Sequence, residues 1–396
     1  MTIRVAFLAF TQGHQFLHWI PVALRLSQEP DVEVTVLSSN RASLDFIKGY
    51  DPDSRLKLRY LWVPTRKRGL FSTPKRAWIA ALRGRAIGAY PFLVTTEVTS
   101  ALLYLRPGFR SKIIHLKHGA GDREGSWQAG HGHYDLTLVN GSKDKERLIA
   151  RGHATDGDCL VVGYAKFELL PPPVCLFADD RPIAFYNPHW LENSSFPAFG
   201  EAIIREMEKI SGWNFVVAPH VRMQENPGLA SACPNIIIDR CSVRSIDMTY
   251  VVNSDVYIGD MSSQVYEFLQ RPRPCIFLNL DRIDWRGKEN YLHWELGQVI
   301  ETLAELGPAL DRAMALQPQY EARQIEALRY SIAEFEELAS ERQANVILDF
   351  INGKIRGRRH LAKPGKQAKL TSLASLLPRR LRVRLGLVPE YRHQGI

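Results

Sequence analysis

Short runs of apolar, β-branched-rich sequence recur along the chain at Ile3–Phe10, Val32–Leu37, Leu58–Val63, Phe92–Thr95, Ile113–Lys117, Leu136–Val139 and Leu160–Gly163, separated by longer stretches of mixed polarity. Between the first two runs, Gln15 to Leu26 has helical spacing of its apolar residues. Near-continuous apolar runs alternating with helical segments predict a parallel sheet buried on both faces. Leu169 to Pro173 reads LLPPP, a stiff, extended break with neither helix nor sheet potential. The pattern then restarts at Ile183–Tyr186, Phe215–Ala218, Ile236–Asp239, Val256–Asp260 and Cys275–Leu278. The pattern thus predicts two Rossmann-like α/β domains, residues 1–168 and 174–350, joined near residues 165–175. A helical pattern from Gln317 to Phe350 either covers the second domain or crosses back over the first. No short repeat runs through the chain, which excludes a solenoid or propeller.

The 396 residues are 45% hydrophobic and 23% charged, enough for two ordinary cores. No run approaches the roughly 18 apolar residues of a membrane span, and the N-terminus does not read as a secretory signal. A body folding in the cytoplasm is expected. The five cysteines are widely spaced and form no C-x-x-C pair, so reduced, mostly buried thiols are expected rather than a disulfide framework or zinc site. Charge is uneven. Of the net +9, the segment from Lys354 to the end holds +11, leaving −2 for the rest. That distribution disfavours a nucleic-acid-binding core. The tail, residues 354–396, is expected to be amphipathic or disordered and to meet an anionic membrane. Leu370, Leu373, Leu377 and Leu381 share one helical face, Pro378 interrupts it, and Arg379, Arg380, Arg382 and Arg384 supply the membrane contact. Arg66, Lys67, Arg68, Lys75, Arg76, Arg83 and Arg85, with no acid between the first and last, form a second basic patch.

Ligands of open α/β sheets bind beyond the carboxyl ends of strands. At those places the sequence has Ser254-Asp255-Val-Tyr-Ile-Gly-Asp260-Met-Ser262-Ser263, a strand passing into a helix whose serine start suits a phosphate. Glu267, one turn on, is positioned for a ribose hydroxyl. Three strands end at histidines, in Lys117-His118-Gly119-Ala-Gly121-Asp122, Asn187-Pro-His189-Trp190 and Pro219-His220. Imidazole is matched to general-base work near neutrality and, when protonated, to holding phosphate. Asp51-Pro-Asp53 and Asp156-Gly-Asp158 spell the D-x-D of some metal-dependent transferases, but both read as solvated turns. No metal or other cofactor is expected.

In their order, Lys117-His118-Gly119, Val162-Gly163-Tyr164-Ala-Lys166-Phe167, Asn187–Trp190, Pro219-His220, Ser254–Ser263 and Arg271-Pro-Arg273-Pro resemble the motifs of the CDP-glycerol glycerophosphotransferases over roughly residues 110–280. The resemblance implies a GT-B fold, with two Rossmann-like domains facing across a cleft and glycerol phosphate moving from CDP-glycerol to a membrane-linked acceptor. It implies His118 as catalytic base. Donor contacts would come from His220, His189, Asn187, Asp260, Ser262, Ser263 and Glu267, and the acceptor side would hold Gly119, Asp122 and His14. It places the acceptor and base in the first domain and the CDP- or UDP-linked donor in the second. A lipid or cell-surface polysaccharide would be the acceptor, and the enzyme would sit peripherally on the inner membrane face. His189 and Leu191 stand where the family has Thr and Arg, and Ala218 where it often has a basic residue. A more distant similarity to nucleotide-sugar epimerases and transferases, in which a glutamate at the place of Glu267 holds ribose, keeps two alternatives open: a sugar donor, or a non-catalytic member that binds a nucleotide-linked metabolite.

Overall fold

The structure, a computed structural model, describes residues 2–64, 69–70, 72, 76–123, 127, 129–191, 194–223 and 229–358. The proposed tail contacts, Arg66, Lys67, Arg68 and Lys75 lie outside the described residues. The first sheet contains β1 (Ile3–Leu8), β2 (Val32–Ser38), β3 (Lys57–Tyr60), β4 (Phe92–Thr95), β5 (Lys112–Leu116), β6 (Leu136–Val139) and β7 (Cys159–Val161), all parallel, in the order β3-β2-β1-β4-β5-β6-β7. The second contains β8 (Ile183–Asn187), β9 (Asn214–Val217), β10 (Ile236–Ile238), β11 (Val256–Gly259), β12 (Cys275–Leu278) and β13 (Gln298–Ile300), also parallel, in the order β10-β9-β8-β11-β12-β13. The apolar runs form strands because both faces are covered. β6, β9, β11 and β12 are buried at every position.

Helices α1 (Ile20–Leu26), α2 (Arg41–Lys48), α3 (Arg76–Ile87) and α4 (Ser142–Ala150) flank the first sheet. The second is flanked by α5 (Ser195–Glu208), α6 (Thr249–Val252), α7 (Gln264–Phe268) and α8 (Leu306–Asp311). The expected helix at Gln15–Leu26 is divided: Gly13–His18 winds as a 3-10 turn, and α1 begins at Ile20 with Pro21 in its first turn. The long C-terminal pattern is also two helices, α9 (Ala313–Ser331) and α10 (Ala339–Ile351). Leu328 of α9 joins the core of the second sheet, whereas Ala344, Ile347 and Phe350 of α10 are in the core of the first. The chain therefore leaves the first sheet for the second and then crosses back.

Among the cysteines only Cys159 and Cys275 are fully buried. Cys233 and Cys241 are half-buried and Cys175 is exposed, which corrects the expectation of mostly buried thiols. Nor are all the D-x-D residues solvated. Asp51 accepts from the Arg55 and Leu56 amides, and Asp158 accepts from the Thr155 amide and Arg358, both while buried. Among the described residues, no three His, Cys, Asp or Glu side chains are grouped as metal ligands, and no helix is long and apolar enough to cross a membrane.

Candidate functional site

In each sheet the strand order reverses beside one strand, β1 in the first and β8 in the second. The carboxyl ends near both reversals open into one cleft of about 360 Å³. From the first domain come His14 and His18 after β1, Thr96 after β4 and His118 after β5. From the second come Asn187 at the end of β8, His220 after β9, and Ser262 and Ser263 after β11.

The histidines form one continuous cluster. The His14 ring lies 6.2 Å from that of His118 and 5.5 Å from that of His220, and His220 lies 5.5 Å from His189. His18 is 6.0 Å from His118. Their tautomers are set by neighbours. His118 Nδ1 lies 2.8 Å from the Thr96 carbonyl, which can only accept, so Nδ1 carries the proton and Nε2 presents a lone pair. His220 is the reverse: its Nδ1 accepts the Arg222 amide at 3.2 Å, leaving Nε2–H as a donor. His189 Nδ1 likewise accepts the Leu191 amide at 3.2 Å, and its buried Nε2 has no partner among the described residues. Burial first, then the charges of Lys117, Arg222 and Arg123, bring His118 down to about 4, although the Thr96 bond works the other way. Burial, Arg123 and Arg222 bring His189 to about 2. His14, His18 and His220 are held well below the ordinary value, again by burial first and then by neighbouring imidazoles and cations. All five shifts favour the neutral imidazole.

Several carboxylates named from the motifs turn inward. Asp260 accepts from the His189 amide (2.9 Å), the Ser195 amide (2.8 Å) and hydroxyl (2.7 Å), and the Met261 amide. It braces the loop after β8 against the loop after β11. Ser262 donates to Asn187 Oδ1 (2.7 Å), and Asn187 Nδ2 donates to the Ala218 carbonyl (2.9 Å). Asp122 is buried between the domains, accepting from Lys143 of α4 (2.8 Å) and the Tyr266 hydroxyl of α7 (2.7 Å), with His293 Nδ1 at 2.9 Å. Burial pushes its carboxyl up, but Lys143 and His293 outweigh this and hold it well below the carboxylate range. Glu267 accepts from Lys166 (2.7 and 2.8 Å) and the Tyr164 hydroxyl (2.7 Å), a second bridge between the domains that also borders the cleft. Gly119, at φ +68°, and Gly121 pass so close to Ser263 that a Cβ on Gly121 would sit 2.8 Å from the Ser263 Cβ. Ser263 itself caps nothing with its side chain, and α7 is only five residues long.

Two cations absent from the sequence-derived set complete the site. Arg123 and Arg222 both border the cleft, and neither pairs with a carboxylate among the described residues. Arg222 stacks 4.4 Å over Trp190 and donates to Gln12 (3.3 Å), while Arg123 Nε is buried without a partner among the described residues. Burial, then the Arg222 charge, lowers Arg123 to about 10. The signal was their position: Arg222 lies two residues past the Pro219-His220 pair, and Arg123 directly follows Asp122. Two desolvated guanidiniums among these imidazoles, with no ion-paired carboxylate among the described residues and only the more distant Asp260 charge acting on Arg123, form an anion site.

Residues 179–351 match the model of the CDP-Glycerol:Poly(glycerophosphate) glycerophosphotransferase family, so the resemblance drawn from the motifs holds for the second domain. No curated protein matches the sequence. Among solved structures, S. aureus MnaA with UDP aligns at TM-score 0.62 and 14% identity, covering 89% of this chain and 97% of that one. A variant of the wall teichoic acid polymerase TagF soaked with CDPG aligns at 0.57 and 14%, covering 89% and 88%. UDP-GlcNAc 2-epimerase from Neisseria meningitidis, bound to UDP-GlcNAc, aligns at 0.60 and 11%, covering 89% and 100%. The architecture is that of the GT-B fold.

Proposed function

We propose that this chain, its second domain carrying the glycerophosphotransferase signature, transfers glycerol phosphate from CDP-glycerol to a hydroxyl of a membrane-anchored lipid or polysaccharide acceptor. The observation that supports this most directly is the opposed tautomers of His118 and His220 in one cleft with two unpaired guanidiniums. His118 Nε2 takes the acceptor proton as the acceptor oxygen bonds to the glycerol-bearing phosphorus. The bridging P–O bond breaks, and CMP leaves with the bridging oxygen. His220 Nε2–H, Arg222 and Arg123 stabilise the charge that gathers on phosphate and leaving group. Ser262 and Ser263 line the donor side, and Glu267 is near enough to the cleft to exchange part of its Lys166 contact for a ribose hydroxyl. The acceptor enters from the first domain, past Arg76 and Thr96.

A UDP-linked sugar is the second reading, supported by the UDP and UDP-GlcNAc held by neighbours of the same fold. Thermal shift against CDP, CDP-glycerol, UDP and UDP-sugars separates the two, because a ligand that binds the native state stabilises it. Release of CMP from CDP-glycerol in the presence of acceptor is the expected activity. In His118→Ala, turnover should fall roughly 10²–10⁴-fold while donor affinity changes by less than about tenfold. A wild-type rate in that variant would assign the base elsewhere, with His14, His18, His131 and His133 next in line.

A further inference from the structure

Helix α3 is apolar on two sides. Ile79 and Ile87 face inward, into a core with Phe10 and Leu103. Trp78 and Leu82, one turn apart on the outer side, are 53% and 51% exposed. Trp62, beyond β3, is 59% exposed and belongs to the same face: Arg83 Nε donates to its carbonyl at 2.6 Å, and the guanidinium lies 6.0 Å from the centre of its ring. The inner apolar side of α3 is covered by that core, whereas the described residues leave the outer side, with its Trp78 and Leu82, open.

Charge names the occupant. From Ser54 to Thr96 the chain has ten Lys and Arg and no Asp or Glu. Arg83 and Arg85, on α3 itself, meet no carboxylate among the described residues. A second copy of the same face, or the basic 354–396 segment, would bring like charge against it, so neither is the partner. Tryptophan beside arginine, with apolar stems below and charged heads above, is the composition of surfaces that lie in a lipid headgroup layer. We propose that the face formed by Trp62, Trp78 and Leu82, flanked by Arg83 and Arg85, docks on an anionic lipid bilayer. α3 begins at Arg76, which borders the cleft, so docking through this face turns the first-domain mouth of the cleft toward the surface. The orientation rests on the reading of a membrane-anchored acceptor; the docking does not.

The test uses the full chain with phosphatidylcholine vesicles, with and without phosphatidylglycerol, read by co-sedimentation and tryptophan fluorescence. The wild type should bind only the phosphatidylglycerol vesicles, with a blue shift of emission. Trp78→Ser with Leu82→Ser, both surface positions, should weaken binding by roughly tenfold or more. Its thermal midpoint, and its turnover on a soluble acceptor analogue, should stay unchanged. Arg83→Glu with Arg85→Glu should weaken binding in the same way through charge alone. Equal binding by the wild type and both double variants overturns the proposal. So does wild-type preference for an acidic protein or a nucleic acid over vesicles. Binding and turnover are read separately, so a protein that binds vesicles but transfers nothing to lipid-linked acceptors sinks the acceptor reading and leaves the docking face standing.

Discussion

Asp122 and Arg123 are neighbours in sequence and belong to two different regions of the molecule. Asp122 lies in a buried weld between the domains, where Lys143, Tyr266 and His293 satisfy its carboxylate. The Lys166–Glu267 bridge repeats the arrangement nearby, and in both every charge is answered within the protein. Arg123 opens onto the cleft, where Arg222, His118 and His220 also gather, and neither guanidinium forms an ion pair with a carboxylate among the described residues. Burying unpaired cations and pushing five imidazoles below their ordinary pKa costs stability. The weld fixes the two walls against each other and so sustains the strained cleft between them. Satisfied charge marks structure in this protein, and unsatisfied charge marks the ligand.

Removing one partner from the weld should give the largest stability effect. Asp122→Ala strands Lys143 and His293 in a dry interface, and breaking a buried pair in this way typically costs about 3–5 kcal/mol. Denaturant unfolding of the variant should show that loss, together with a fall in turnover as the His118–Asp122 loop loses its anchor. A loss below about 1 kcal/mol would mean that water reaches the pair and that the two regions do not differ as described.

Arg222→Gln should do the opposite, on a smaller scale. It deletes a desolvated cation that has no carboxylate partner among the described residues, so unfolding free energy should hold or rise. Donor binding should weaken by about 1.5–3 kcal/mol, the contribution of a hydrogen bond to a charged group. Calorimetric titration with CDP-glycerol reads the affinity, and denaturant unfolding reads the stability. A variant that loses stability while keeping its affinity would move Arg222 from the cleft to the scaffold.

Most of the fold was legible because buried parallel strands are nearly uninterrupted apolar runs; twelve of the strands coincide with such runs. β13 was not, since it has only the three residues Gln298–Ile300 and opens on a polar side chain after Gly297. The break between α9 and α10 carries no glycine or proline. It arises from a tertiary bond, the Ala333 amide donating to the Asn140 carbonyl at 2.9 Å. In the site, His118, His189 and His220 were legible because each closely follows a strand, whereas His18 sits on the 3-10 turn after β1 and carries no such signal. The direction of a carboxylate was not legible: Asp122, Asp260 and Glu267 stand at the right motif positions, but apart from the adjacent Met261 amide on Asp260 and Lys143 of α4 on Asp122, the partners named above lie 65 to 171 residues away. Arg123 and Arg222 read as loop charges until the fold shows what they lack.

The mildest way to separate the two regions is pH, because the cleft imidazoles and the Asp122 carboxyl titrate in different windows. The cleft histidines have native pKa values below the ordinary 6.5, His118 at about 4. As pH falls below about 6.5 the unfolded chain binds protons that the native cluster refuses, and linkage then makes stability decline. The contribution of the cluster to stability is whole above that value and lost progressively toward pH 4. Asp122 runs on a lower window, since its carboxyl is depressed in the native state. What it contributes is present above the unfolded value of about 3.9 and is lost only as pH falls further. Thermal midpoints should therefore begin to fall between pH 6.5 and 4, before the Asp122 carboxyl titrates. His118→Ala and His220→Ala should each flatten that first decline and leave the second in place. An anionic donor should do likewise, because its charge favours the imidazolium forms and its binding takes up protons. A midpoint that stays flat from pH 7 to 4 in the wild type would mean that the imidazoles are solvated, and the contrast between a satisfied weld and an unsatisfied cleft would fail at its weakest point.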